Sequence, residues 1–148
     1  MAGRVGTRNC IVVAAALAVV GCEVAVCRAE TGDSASELCL AENGQSSYTI
    51  LLASDAPPPV KFAAEELQKY LTHISGVRLP LSTQSAASLA ICVGEVGIPS
   101  GEIDKLRSEL KDRGEDGYVM CRLGRRLVLI GNSPRATLYA VYHFLLNP

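Results

Sequence analysis

The chain has 148 residues, enough for one ordinary domain. It carries 14 Lys+Arg against 15 Asp+Glu, with no Trp, two Phe and five Tyr. That near-neutral balance, with no basic stripe beyond Arg122, Arg125 and Arg126, excludes nucleic acid as an expected partner.

The N-terminus reads as an export signal. Arg4 and Arg8 precede the uncharged run Ile11 to Val20, a basic segment followed by a short apolar one. About ten apolar residues are too few for a bilayer-spanning helix, which needs ~20. Two processing sites compete. Cys27-Arg28-Ala29 offers small residues for cleavage before Glu30, while Val19-Val20-Gly21-Cys22 has the form of a bacterial lipobox, in which Cys22 would be lipidated. The expectation is an exported protein, periplasmic or extracellular, that is either soluble or anchored to a membrane by lipid. Removal of residues 1–29 takes away Arg4, Arg8, Arg28 and Glu23, which leaves a net charge of about −3. Residues 30–47 are small and polar and read as a linker, so the folded domain is expected over 48–146.

Tyr48 to Ala53 reads as a short apolar strand, and the prolines after it allow a helix to begin at Pro59. From there to Ser75, Val60, Ala63, Ala64, Leu67, Tyr70, Leu71 and Ile74 recur at spacings of three and four, one face of an α-helix, and Gly76 suits a left-handed cap. Val77 to Leu81 reads as an edge strand because Pro80 cannot donate to a ladder. Leu89 to Val93 reads as a buried strand. Ile103, Leu106 and Leu110 mark a second helix that starts near Ser100 and ends before Gly114. Gly117 to Leu123 and Arg126 to Ile130 form a hairpin around Gly124. Ser133 and Pro134 supply an N-cap and a first helical residue for a last helix carrying Leu138, Val141, Tyr142 and Leu145. The fold class is therefore α/β (α+β), a mixed sheet with helices packed on it in the order β-α-β-α-β-β-α.

Little in the sequence points to chemistry. Glu65 and Glu66 diverge by ~100° on a helix, so they cannot converge on one bond. Glu115-Asp116 sits in a turn. His73 and His143 lack metal-ligand spacing, and no GxSxG elbow marks a nucleophile. No catalytic, cofactor or metal residue is expected. The one weak anion candidate is the start of the last helix, with its free N–H groups at Ser133 and the neighbouring Arg135. Cys92 and Cys121 lie in strand-like runs, where a bridge would need adjacent strands and a buried thiol is the commoner outcome.

Several segments together resemble a known family. Phe62 to Leu71, Ile74-Ser75-Gly76 with Leu79-Pro80-Leu81, Ile91 to Gly94, Asp116 to Val119, and Leu127 to Gly131 followed by Ser133 to Tyr142 and Phe144-Leu145 are similar to the hexosaminidase-like N-terminal domain, which also occurs in α-glucuronidases. Ala136 departs from the glycine common there. The resemblance covers about Tyr48 to Leu146. It implies a domain that precedes a catalytic (β/α)₈ barrel in glycoside hydrolases. A barrel needs ~250 residues, so none fits here and no catalytic residue carries over. The expected role is a non-catalytic accessory domain of an exported glycoside hydrolase, truncated before its barrel, which would be supplied in cis in relatives or by a partner chain. Such a module should show apolar residues on the final helix and the sheet edge. The alternative is an independent carbohydrate-binding or protein-interaction module, with glycans as ligands.

Overall fold

The computed structural model describes residues 38–84 and 86–146, and the backbone of 10–13. The proposed signal and lipidation residues other than these four, Cys22 among them, lie outside the described residues. In chain order the elements are β1 (Cys10–Val13), β2 (Leu38–Glu42), β3 (Thr49–Leu51), α1 (Pro58–Ser75), β4 (Leu81–Ser82), β5 (Ala90–Val93), α2 (Ser100–Lys111), β6 (Tyr118–Leu123), β7 (Arg126–Gly131) and α3 (Pro134–Leu146). From β3 onward this is the order the sequence predicts.

Five strands form one mixed sheet in the order β4-β3-β5-β7-β6. β3 pairs in parallel with β4 and β5, and β5 in parallel with β7, while β6 closes the sheet as the antiparallel arm of a hairpin. Each parallel step crosses over through a segment that holds a helix or, between β3 and β4, α1 and a short extended stretch. Pro80 precedes β4 at the edge of the sheet, where a residue without an N–H does no harm.

Both faces of the sheet are covered. Ile50, Ile91, Val93, Leu127 and Leu129 pack in one cluster with Val60, Ala63, Leu67 and Leu71 of α1 and Ala140, Val141 and Phe144 of α3. Leu51, Cys92, Val128 and Ile130 pack on the opposite side with Leu106 and Leu110 of α2. Alternation along a strand sends neighbouring side chains to opposite faces, so all four apolar residues of β7 from Leu127 to Ile130 are buried.

Two stripes differ in detail from the sequence expectation. On α1, Tyr70 and Ile74 are exposed, and the buried face is Val60, Ala63, Ala64, Leu67 and Leu71. On α3 the buried face is Ala136, Thr137, Ala140, Val141 and Phe144, with Leu138, Tyr142 and Leu145 only partly covered. α1 and α3 lie against each other on the same side of the sheet. Ala63, Ala64 and Ala140 on the buried faces let the helices come close to each other and to the sheet, while Leu67, Leu71 and Phe144 fill the space between them.

The expected linker is partly structured. β2 lies within 30–47, with Leu38, Leu40 and Ala41 buried, and the chain then turns through Asn43 and Gly44. Both have positive φ (53 and 75), and Glu42 and Gln45 exchange backbone hydrogen bonds of 2.9 and 3.0 Å across them. That is a two-residue hairpin turn of the type that favours Asn-Gly. β2 also pairs antiparallel with β1, so the first residues of the apolar N-terminal run are strand here.

The helix caps follow the residues. Gly76 ends α1 at φ 72, with its N–H on the Thr72 carbonyl at 2.8 Å. At α3 the Ser133 hydroxyl accepts from the Ala136 N–H at 3.1 Å, and the Thr137 hydroxyl accepts from the Gly131 N–H at 3.1 Å. The β7–α3 junction is tight. A Cβ on Gly131 would meet the Ala136 carbonyl carbon and the Thr137 nitrogen at 2.4 Å. The Ala136 methyl, fully buried, fits there because Gly131 has none.

Cys92 and Cys121 do not bridge. Both lie opposite Val128, one on each side of β7, and so stand two strand spacings (~9.5 Å) apart, beyond the reach of a disulfide. Burial raises the Cys92 thiol to about 11, against the pull of Arg126. Cys39 is disulfide-bonded, and neither of these thiols is its partner.

Two outcomes follow from the packing. Gly131→Ala should destabilise the domain by about 1–3 kcal/mol, because the added methyl meets backbone rather than a movable side chain, and a lowered urea midpoint at unchanged slope would show it. Cys92 should resist a thiol reagent at pH 8 in the folded chain and react once urea is added. Because its folded pKa lies above the ordinary ~8.5, its contribution to stability is present below that pH and declines as pH rises past it.

Candidate docking face and the start of the last helix

The sequence flags the start of α3 as an anion site, and the structure shows how its groups are used. Ser133 is engaged as the N-cap. Arg135 forks onto one oxygen of Asp116, Nε at 3.0 Å and Nη2 at 2.7 Å, and that hydrogen bond is the chief cause that raises its pKa. The pair joins the first turn of α3 to the loop before β6. Both side chains are more than half exposed, so the pair is largely screened by water. Asn132, between strand and helix, donates through Nδ2 to the Leu110 and Gly114 carbonyls at 2.5 and 2.7 Å, tying α2's end to the same junction. An external anion at this helix start would have to displace Asp116.

The other polar groups are similarly occupied. Glu66 pairs with Lys69 at 3.2 Å, Glu102 with Lys105 at 2.9 Å and Glu95 with Arg107 at 2.5 Å. The Arg107 hydrogen bond holds the Glu95 carboxyl below its ordinary range. Glu65, Glu115 and His73 are exposed. Glu109 Oε2 is buried without a hydrogen-bond partner among the described residues. The Tyr118 hydroxyl and His143 Nδ1 meet at 2.8 Å with their rings edge to face, which ties β6 to α3. Gly94 and Gly97 take φ of 86 and 71 and shape the turn after β5. Arg126 reaches from β7 to the carbonyls of Gly97 and Ala87, so one of the three hairpin arginines braces two loops rather than solvating a turn. No described group of three His, Cys, Asp or Glu residues could hold a metal ion. Among the described residues no helix is long and apolar enough to cross a membrane.

What the surface does present is apolar. On α3, Tyr139 is 42% exposed and Leu146 79% exposed. Tyr139, Tyr142 and Leu146 follow one another at spacings of three and four and share one helix face, opposite the buried one. On α1, Phe62, Tyr70 and Ile74 are exposed, and Leu81 is exposed on the edge strand β4. Scattered apolar side chains are normal on a monomer, but a run of large ones along the outer face of a terminal helix is the form a contact surface takes.

A mixed sheet with α1 and α3 on one side and α2 on the other, a closed core and outward aromatic residues describe an α/β domain. A family model described as the N-terminus of glycosyl hydrolase family 67, the α-glucuronidase N-terminal domain, matches residues 35–144. The chain belongs to that family. The match takes in β2 and runs into the last turn of α3. No curated protein matches the chain.

The structure assigns the α3 cap an ordinary weight. Ser133→Ala should cost about 1 kcal/mol, read as a shift in the urea midpoint, whereas Arg135→Ala should leave that midpoint nearly unchanged.

Proposed function

We propose that this domain is the non-catalytic accessory module of an exported glycoside hydrolase and that it docks on the catalytic (β/α)₈ barrel through the outer face of α3. The observation that carries this reading is the exposure of Tyr139 and Leu146 on the last element of the family match. The family is defined by an N-terminal part, so its members continue beyond this region, and α3 is the element from which that continuation leaves. A face of Tyr and Leu suits a partner within the same assembly, since Tyr supplies large contact area at low entropic cost. Four of the described carboxylates are held in ion pairs, and in this reading the acid/base pair of glycoside hydrolysis belongs to the barrel.

Export forms part of the proposal and is supported by the basic start and apolar run at the N-terminus. Cleavage before Glu30 would remove β1 and leave β2 held by Leu38 and Leu40. It would also leave Cys39 only Cys92 and Cys121 as cysteines in the same chain. Processing at Cys22 would keep Cys27 as well.

Two measurements test this. A family 67 catalytic barrel added in trans should sediment with the purified chain as a 1:1 complex, and Tyr139→Ser with Leu146→Ser should weaken that complex at least tenfold while leaving the circular dichroism spectrum unchanged. A double variant that binds as well as the parent would sink the docking face. The intact mass of the chain from its host should correspond to a start at residue 30 or at a lipidated Cys22, and a cytosolic product retaining Met1 would end the export reading.

A further inference from the structure

β2 has two backbone edges, and each is held by a different part of the chain. Successive residues of a strand turn their N–H and C=O groups to opposite edges. Glu42 exchanges backbone hydrogen bonds with Gln45, and the Leu40 carbonyl accepts from the Ser46 hydroxyl at 2.6 Å, so the even-numbered residues face the turn that follows the strand. The backbone groups of Cys39 and Ala41 therefore face the other way, toward β1, where Ala41 pairs with Ile11 and Cys39 with Val12. A bulge between Ile11 and Val12 makes that pairing irregular.

Processing before Glu30 or at Cys22 would remove β1 in either case. β2 itself would stay in place, because Leu38 and Leu40 pack into the core cluster with Tyr48. Its outer edge would then lie open. Edges of this kind are usually guarded by a charge or a proline, and Leu38 to Ala41 carries neither. A second copy supplies the matching edge. Antiparallel pairing through Cys39 and Ala41 puts a two-fold axis at Leu40, with Cys39 opposite Ala41 of the second copy. In that register Glu42 stands opposite Leu38 and about 13 Å from Glu42 of the second copy, at ~3.4 Å per residue, which is beyond the ~8 Å screening length of physiological salt. An axis at Glu42 would instead set like charges face to face. Leu38 also lines a cleft of about 490 Å³ whose wall carries Arg122 and Arg125. Arg125 is exposed and makes no hydrogen bond or ion pair with the described residues. A carboxylate arriving opposite Leu38 borders that positive wall, which favours it.

We propose that β1 covers a dimer edge in the unprocessed chain, and that its removal lets β2 pair with β2 of a second copy, antiparallel about Leu40. This rests on the export reading. It uses a different surface from α3, so each copy keeps its α3 face for a barrel.

The test compares the processed chain recovered from its host with the full chain kept inside the cell, by sedimentation under reducing conditions and by amide hydrogen exchange. At tens of micromolar the processed chain should sediment at twice its monomer mass and dissociate on dilution, while the full chain stays a monomer. The Cys39 and Ala41 amides of the processed chain should exchange at least tenfold more slowly in the concentrated sample than in the dilute one. In the full chain their exchange should not depend on concentration. Cys39→Pro removes an N–H that faces the partner strand and should weaken the dimer at least tenfold, whereas Cys39→Thr should keep it. If Cys39→Pro does not fold, the exchange comparison decides. A processed chain that stays monomeric, a dimer that reductant dissolves, a dimer that persists in folded Cys39→Pro, or Cys39 and Ala41 amides that exchange alike at both concentrations would each overturn the proposal. Protection gained only when a barrel is added would assign the edge to a strand of that barrel and overturn it too. A chain recovered with Met1 in place ends the export reading and this one together, whereas a processed monomer ends this one alone.

Discussion

β7 has no side that water can reach. Leu127 and Leu129 face α1 and α3, and Val128 and Ile130 face α2. Such a strand is stable only if two layers close on it at once, and that requirement organises the molecule. Each large aliphatic side chain buried there contributes roughly 1.5–3 kcal/mol. The contribution is realised only when β5 and β6 flank the strand and the helices cover it. The demand extends into the junction that follows. α3 must turn back onto the sheet within a few residues of Ile130, and it does so against a glycine whose missing side chain leaves room for Ala136. Ser133 and Thr137 then take up the backbone N–H groups that the sharp turn exposes.

Polar groups near this core largely serve the fold. Arg126, Asn132 and Gln68 each place a side-chain donor on backbone carbonyls of loops or strand ends, where an unpaired carbonyl would be costly. Arg135 and Arg107 fasten helices to neighbouring loops through exposed carboxylates. The α3 face and the cleft beside β2 are what the fold leaves over: one apolar, one polar, and both outside the core clusters.

Much of this was legible in the residues. The α1 periodicity, the Gly76 cap, the β6–β7 hairpin and the Ser133-Pro134 helix start each have a local cause, so the sequence alone places them. The misjudged parts depend on neighbours. Tyr70 and Ile74 satisfy helical spacing as well as Leu67 does, but whether a position at the margin of the stripe is covered depends on where α3 lies, and a periodicity does not encode that. β2 was hidden by the polar residues around it, although Asn43-Gly44 after Leu38-Cys39-Leu40-Ala41 is a strong short-range hairpin signal. The cleft was not visible at all. Tyr48 and Arg125 are 77 positions apart in the chain and meet because β3 and β7 begin at the same end of the sheet, in register through β5.

Ser133 and Arg135, the pair the sequence singles out, are both engaged within the fold, Ser133 as the α3 cap and Arg135 on Asp116. Every helix start exposes N–H groups, so its sequence signature is common, and a fold under pressure to close β7 satisfies them from within. A guanidinium on a turn has no such obligation. Arg125 sits between two arginines that brace the hairpin from either side, Arg122 through Gly124 and Arg126 through Gly97 and Ala87. The turn is therefore held rigid by its neighbours while its own charge remains outside the described hydrogen bonds and ion pairs.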